Sequence, residues 1–256
     1  MAGRKLDDPG RVIAHRGASR AAPENTLAAF RLAAAHGVHW AEFDVSLLGD
    51  GTPVLIHDAT LDRTTDRTGP LSALGAADLA GIDAGSWHGP GYRREALPTL
   101  RQAMALFEAL GFYVNLEIKP QDLAPEAVAE AVADAVAAWA WVEERVVISS
   151  FSLECLAHLR RLLPTQPLAA LLDDPPEDWP GVVADLGAGA LHCGWENLTP
   201  GILSEAVALG IEVRCYTINE PDRLVWAREA GLTGVITDDP RLFLDDPAWR
   251  AWSKTW

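Results

Sequence analysis

The sequence predicts an α/β protein, folded as a (β/α)8 TIM barrel with a small insertion after the second strand. Short apolar runs rich in β-branched residues alternate with alanine-rich stretches along all 256 residues, a pattern typical of parallel strands joined by crossover helices. Eight such units can be counted, and no change of composition marks a linker between them. A closed barrel is therefore favoured over an open, doubly wound sheet, which is the second interpretation.

Each predicted strand is a run of five to nine residues. In chain order the strands are RVIAH (11–15), WAEFDVSLL (40–48), YVNLEIK (113–119), RVVISS (145–150), LAALLD (168–173), ALHCGW (190–195), EVRCYTI (212–218) and GVITD (234–238). Because each run is followed by a helical stretch, consecutive strands are expected to be parallel neighbours.

The segments between the strands have the apolar spacing of amphipathic helices. After Pro125 the apolar stripe consists of Val128, Val132, Val136 and Trp139, so one face of this helix is expected to be buried. Several helices end at a glycine just before the next strand, as a left-handed cap requires. These glycines are Gly37, Gly111, Gly210 and Gly231.

One region interrupts the alternation. GDG (49–51) indicates a turn that closes a short hairpin onto PVLIHD (53–58), and residues 59–97 form an insertion rich in Gly, Thr and Asp before the next helix begins near Pro98. A long loop at the C-terminal end of a barrel strand lies where the active sites of barrels are built. We expect residues 1–256 to form a single barrel domain that carries this insertion.

The charge balance excludes several classes of partner. Thirty-six acidic and 21 basic residues give a formal charge of −15, the wrong sign for binding nucleic acid or an anionic membrane surface. The N-terminal MAGRKLDDPGR lacks the apolar run of an export signal, and the three cysteines form no C-x-x-C pair. We therefore expect a cytoplasmic protein without stable membrane association, whose oligomeric state the sequence leaves open.

Two strands carry polar side chains at alternate positions. In WAEFDV, Glu42 and Asp44 share one face of the strand, and in NLEIK, Glu117 and Lys119 do the same. Three carboxylates brought together at one barrel rim would repel one another unless a cation lay between them. Since all the donors are oxygens, the expected ion is Mg²⁺ or Ca²⁺ rather than zinc. The alternative is that these carboxylates only form salt bridges.

Two histidines and two basic residues complete the candidate site. His15 ends the first strand and His57 ends the hairpin strand; imidazoles titrate near neutral pH, so one can accept a proton while the other donates one. Arg16 would face away from His15 on a regular strand, but Gly17 could turn the chain and bring the guanidinium over the barrel mouth. Arg16 and Lys119 would then bind a phosphate.

The motifs that carry these residues resemble those of the glycerophosphodiester phosphodiesterase family, from about residue 12 to residue 243. The matching segments are AHRGASRAAPENTLAAF, EFDVSLLGDGTPVLIHDATLDRTT, LPTL, LEIKP, SSF, YTIN and GVITDDP. DAGSW and LLDD are similar to the cytoplasmic bacterial members. The sequence departs from the family at SLLGDG and at Tyr216, where many members have a tryptophan.

The resemblance implies a TIM barrel that hydrolyses glycerophosphodiesters to sn-glycerol 3-phosphate and an alcohol such as choline or ethanolamine, with a divalent cation. It implies metal ligands at Glu42, Asp44 and Glu117. It also implies catalytic histidines at His15 and His57, and phosphate contacts at Arg16 and Lys119. Two alternatives remain at this point: a phospholipase D or sphingomyelinase-like barrel acting on lipid phosphodiesters, and a non-catalytic barrel that binds phosphodiesters.

Overall fold

The β-rich runs of the sequence form one nine-stranded sheet in the computed structural model, which describes residues 3–7 and 11–253. The strands are β1 (Val12–His15), β2 (Trp40–Leu47), β3 (Pro53–Leu55), β4 (Tyr113–Ile118), β5 (Val146–Ser150), β6 (Leu168–Leu171), β7 (Ala190–Gly194), β8 (Glu212–Tyr216) and β9 (Gly234–Thr237). All except β3 correspond to the eight predicted strands, with ends that differ by two residues at most.

Closure of the sheet distinguishes a barrel from an open sheet. β1 pairs in parallel with β2, where Ile13 lies beside Trp40, and also with β9, where Val12 lies beside Val235. The eight parallel strands therefore form a closed ring, which confirms the predicted (β/α)8 barrel. β3 runs antiparallel to β2, so the GDG turn closes the predicted hairpin.

Helices cover the outside of the barrel. They are α1 (Leu27–Ala35), α2 (Leu100–Leu110), α3 (Pro125–Ala137), α4 (Val142–Arg145), α5 (Leu153–Leu162), α6 (Trp179–Asp185), α7 (Pro200–Leu209), α8 (Val225–Glu229), α9 (Arg241–Leu244) and α10 (Pro247–Trp252). Gly111 and Gly210 end α2 and α7 in the left-handed conformation, with φ of 70° and 67°. α3 ends at Ala137, so Trp139 lies beyond the helix that its spacing predicted.

Alternation along β2 separates the core from the barrel interior. Phe43 points outward and packs against α1 and α2, with ring centroids 6.1 Å from Phe30 and 5.1 Å from Phe107. Its neighbours Glu42 and Asp44 point into the barrel. The outward aromatic cluster thus fixes the direction in which both carboxylates face.

One part of the barrel interior combines an apolar cluster with a buried ion pair. Trp40 belongs to an internal cluster, whose other buried members are Leu6, Ile13, Val147, Ala169, Ala190 and Ile236. Arg214 lies 5.0 Å from the Trp40 ring and donates to Glu212 at 2.9 Å. Because this arginine is paired, it does not leave an uncompensated charge in the core.

The insertion of residues 59–97 shares a small second core with the β2–β3 hairpin. This core consists of Leu48, Val54, Ile56, Leu61, Leu71, Ile82, Ala84 and Leu97. Tyr92 donates to the carbonyl of Ala21 at 2.8 Å, and Glu95 accepts from the backbone N–H of Ala28 at 3.0 Å. These contacts tie the insertion to the loop after β1, so both segments border the same end of the barrel.

The cysteines and helices give two further observations. Cys155, Cys193 and Cys215 are buried and free. Among the described residues, the helices are all too short or too polar to cross a lipid bilayer.

Phe107 should contribute strongly to stability, because its ring packs against Phe30, Phe43 and Phe112 in the outer core. Phe107→Ala is expected to lower the free energy of unfolding by about 3 to 5 kcal/mol in urea titrations. Leu110→Ala, on the same helix but 41% exposed, is the matched control and should cost less than about 1 kcal/mol. Equal losses in both variants would contradict this packing.

Candidate active site

His15 lies at the end of β1 with both ring nitrogens near carboxylates. Its Nδ1 is 2.6 Å from Asp238 Oδ1, and its Nε2 is 3.8 Å from Glu42 Oε2. Burial opposes ionisation of Asp238, but hydrogen bonds from His15, Asn219 and Ser19 lower its pKa to about 2. Since an ionised carboxylate can only accept, Nδ1 carries the proton and Nε2 is left to act on other groups.

The chain turns sharply after His15. Arg16 and Gly17 have φ of 56° and 85°, both in the left-handed region, and a Cβ on Gly17 would lie 2.7 Å from the backbone of Ala29. This turn returns the guanidinium to the barrel mouth, as the glycine suggested. Its Nε lies 2.9 Å from Asp44 Oδ2 and its Nη1 2.8 Å from Glu24 Oε1.

Three carboxylates meet at the C-terminal rim of β2 and β4. Glu42, Asp44 and Glu117 are buried, and each offers an oxygen within 4.8 Å of the others. Desolvation and mutual repulsion raise the pKa of Glu42 well above its ordinary value and that of Glu117 to about 7. Burial would also raise the pKa of Asp44, but the charges of Arg16 and Lys119 lower it.

Lys119 offsets this negative charge, and Asn25 hydrogen-bonds to Asp44. Lys119 Nζ forms an ion pair with Glu117 and lies 3.3 Å from Asp44 Oδ1. Asn25 donates to Asp44 Oδ2 at 2.8 Å and accepts the backbone N–H of Asp44 at 3.2 Å. Sequence reasoning did not assign Asn25 a role; its only signal was its place in the PENT segment, directly after the motif that carries His15.

The cluster is suited to a hard divalent cation. Two ligands that each lie about 2.4 Å from an ion can be at most about 4.8 Å apart, and the three carboxylates meet that limit. Glu42 Oε1 is buried and accepts no hydrogen bond from the described residues. Such an oxygen is costly to bury unless a cation or another donor contacts it.

His57 lies two residues beyond β3, and its ring and its carbonyl are both held in place. Its Nδ1 is 2.7 Å from Asp58 Oδ1, and its carbonyl accepts from Gln121 Nε2 at 2.8 Å. Partial burial lowers the pKa of His57. Asp58 also binds Arg63, a residue of the insertion. Sequence reasoning missed Asp58, Arg63 and Gln121, because their roles depend on contacts between loops.

A cavity of about 140 Å³ opens between these side chains. Its lining includes His15, Arg16, Glu42, His57, Glu117 and Lys119, and also Phe151 and Tyr216. Asp44 contacts two of these lining residues, Arg16 and Lys119. The structure thus brings all the predicted site side chains to one end of the barrel.

Tyr216 and His192, on neighbouring strands, differ in their positions relative to the cavity. Tyr216 lines the cavity, where its ring packs edge-on against Phe151 at 5.9 Å. His192 is fully buried inside the barrel, 3.2 Å from Arg214, and burial lowers its pKa well below the ordinary value. His192 is therefore outside the cavity and part of the buried interior.

Known proteins resemble this chain in sequence and in fold. Residues 15–242 match the glycerophosphoryl diester phosphodiesterase family. A glycerophosphodiester phosphodiesterase of Caldanaerobacter subterraneus is 33% identical, over 91% of this chain and 96% of its own. A phosphodiesterase of Oleispira antarctica, solved in complex with the product sn-glycerol-3-phosphate, superposes with a TM-score of 0.86 at 35% identity, covering 90% of this chain and 94% of its own.

The raised pKa of Glu117 predicts how stability depends on pH without metal. The folded state keeps a proton up to about pH 7 that the unfolded state loses near 4.5, so the free energy of unfolding falls as pH rises through this window, by up to about 3 kcal/mol from this group. Thermal and urea unfolding in chelator should show this fall, and Mg²⁺ or Ca²⁺ should stabilise the protein more at pH 8 than at pH 5.

Glu117→Gln is the control for this pH dependence, because it removes the titrating group and keeps the side-chain shape. The variant should lose less stability than the wild type between pH 4.5 and 7, and should gain less from the metal. Identical pH profiles for the two proteins would refute the assignment.

Proposed function

Because the chain belongs to the glycerophosphoryl diester phosphodiesterase family, we propose that it hydrolyses glycerophosphodiesters to sn-glycerol 3-phosphate and an alcohol such as choline or ethanolamine, with the site residues described above. The observation that carries this proposal is the meeting of three buried carboxylates with two histidines, each bound through Nδ1 to a further carboxylate. Membership of this family makes the protein a phosphoric diester hydrolase. Its fold is a closed α/β barrel.

Glu42, Asp44 and Glu117 would hold Mg²⁺ or Ca²⁺. When bound, the ion supplies Lewis-acid polarisation of a phosphoryl oxygen. Arg16 and Lys119 line the same cavity and neutralise the charge that grows on the phosphoryl oxygens, Arg16 as a planar fork and Lys119 as a point charge. These two side chains provide the local positive charge that an anionic substrate needs on a protein of net charge −15.

The two histidines take opposite roles in proton transfer. With Nδ1–H bound to Asp238, His15 presents a free Nε2 lone pair, which accepts the proton of the attacking hydroxyl. His57 donates a proton from Nε2 to the departing alkoxide, and Asp58 stabilises the imidazolium form. The attacking hydroxyl is either water or the substrate's own glycerol hydroxyl, which would give a cyclic phosphate that water then opens.

The proposal includes one barrel domain and a cytoplasmic location. The insertion is hydrogen-bonded to the loop after β1 through Tyr92 and to the first turn of α1 through Glu95, which supports one folding unit. Three free, buried cysteines are typical of a reducing compartment.

His57→Ala should lower kcat by about 10²- to 10⁴-fold, because the leaving alkoxide would lose its proton donor, while metal binding should persist. Glu117→Gln should lose metal dependence together with activity. A coupled assay for sn-glycerol 3-phosphate, run on several glycerophosphodiesters with Mg²⁺, Ca²⁺ or chelator, measures both variants.

His39→Ala is the matched control, since His39 is an exposed histidine before β2, outside the cavity. It should retain wild-type kcat. Wild-type turnover of glycerophosphocholine by His57→Ala would eliminate His57 as the acid, and release of no sn-glycerol 3-phosphate from any glycerophosphodiester would eliminate the substrate class.

A further inference from the structure

We propose that Arg63, in the insertion, is a positioning residue for His57: it fixes Asp58 so that the imidazole keeps its Nε2 towards the substrate. This inference rests on the proposed function, in which His57 protonates the leaving alkoxide. Arg63 does not line the cavity, so it acts through its neighbours and not on the substrate.

The guanidinium of Arg63 holds two carboxylates at once. Its Nε donates to Asp58 Oδ2 at 2.7 Å and its Nη2 to Asp58 Oδ1 at 3.1 Å. Its Nη1 and Nη2 donate to the two oxygens of Glu24 at 2.8 and 2.9 Å. A planar guanidinium can form two such forks simultaneously, whereas the compact ammonium of a lysine cannot.

Asp58 needs this second partner in order to orient His57. The two residues are adjacent in sequence, on a loop where the His57 side chain is 37% exposed and that of Asp58 28% exposed. A contact between sequence neighbours that are both partly exposed is easily lost by rotation of either side chain. Because Arg63 grips both oxygens of Asp58, the oxygen that accepts from His57 Nδ1 has a fixed position.

Glu24 anchors Arg63 from the other side. Glu24 Oε1 also accepts from Arg16 Nη1 at 2.8 Å, so Arg63 connects the loop after β3 to the loop after β1. The turn that carries Arg63 is closed by Thr65, whose hydroxyl donates to the carbonyl of Leu61 at 2.9 Å. The position of His57 therefore depends on the loop after β1, which carries Arg16 and Glu24, as well as on its own loop.

Stability alone does not account for this arrangement. Arg63 is 45% exposed, and ion pairs at exposed positions typically stabilise a protein by less than about 1 kcal/mol. The same hydrogen bonds lower the pKa of Asp58 to about 2, which keeps it an acceptor for Nδ1–H at neutral pH. Arg63 is exposed but makes four hydrogen bonds to Asp58 and Glu24. Orientation of His57, the candidate acid, explains this arrangement better than a gain in stability does.

Arg63→Gln tests the inference on two substrates. With glycerophosphocholine, kcat should fall about 10- to 100-fold, as for loss of a partner that orients a functional histidine, with KM changed less than kcat. With the glycerophosphodiester of p-nitrophenol, whose phenolate departs without protonation, the loss should shrink to less than about threefold. Arg67→Gln, an exposed arginine of the same insertion paired only loosely with Asp66 at 3.8 Å, should match the wild type on both substrates.

A double mutant separates positioning from a general effect. In a His57→Ala background, Arg63→Gln should cause no further loss of kcat, because the group that it positions is gone. An equal fold loss in both backgrounds, an equal loss on both substrates, or wild-type kcat in Arg63→Gln would overturn the inference. Thermal unfolding checks folding; if Arg63→Gln is unfolded, Arg63→Lys, which keeps the charge without the double fork, is measured in the same way.

The failure of this inference can be told from failure of the proposed function. If His57→Ala itself loses as much activity on the p-nitrophenyl ester as on glycerophosphocholine, the acid role of His57 is wrong and the premise fails. If His57→Ala discriminates between the two esters but Arg63→Gln does not, only the role of Arg63 is wrong.

Discussion

The repulsion among three buried carboxylates is the constraint on which the rest of the site depends. Glu42, Asp44 and Glu117 lie at one rim, where burial disfavours their charged forms and each raises the cost of ionising the others. The fold places Arg16 and Lys119 against them and leaves Glu42 Oε1 without a hydrogen-bond partner among the described residues. The two cations that stabilise the cluster also line the cavity.

Loops rather than strands provide most of this compensation. Arg16 reaches Asp44 because the chain turns through two left-handed residues after β1, and Asn25, also left-handed at φ 57°, binds Asp44 from the same loop. Strands supply rigid positions for the carboxylates, while the loop after β1 supplies Arg16 and Asn25 and the residue after β4 supplies Lys119. This division is typical of barrels, in which loops at the C-terminal ends of the strands carry the chemistry.

The two candidate catalytic histidines are oriented by carboxylates from different parts of the chain. Asp238, beyond β9, binds His15 across the β1–β9 junction that closes the barrel. Asp58 is the sequence neighbour of His57 and is itself fixed by Arg63 of the insertion. Barrel closure therefore orients one histidine and the insertion contacts the carboxylate that orients the other, so both orientations depend on tertiary contacts.

The eight βα units and the shared face of the carboxylates were predictable from the residues alone, whereas closure into a barrel is decided by the pairing of β1 with both β2 and β9. Strand alternation has a period of two, so it fixes that Glu42 and Asp44 share a face, and that Glu117 and Lys119 do. It did not reveal Asn25, Glu24, Arg63 or Asp238 as partners, since these pairs join residues 8 to 223 positions apart. Only closure of the sheet and the path of its loops decide such contacts, because local patterns carry no information about which loops meet in space.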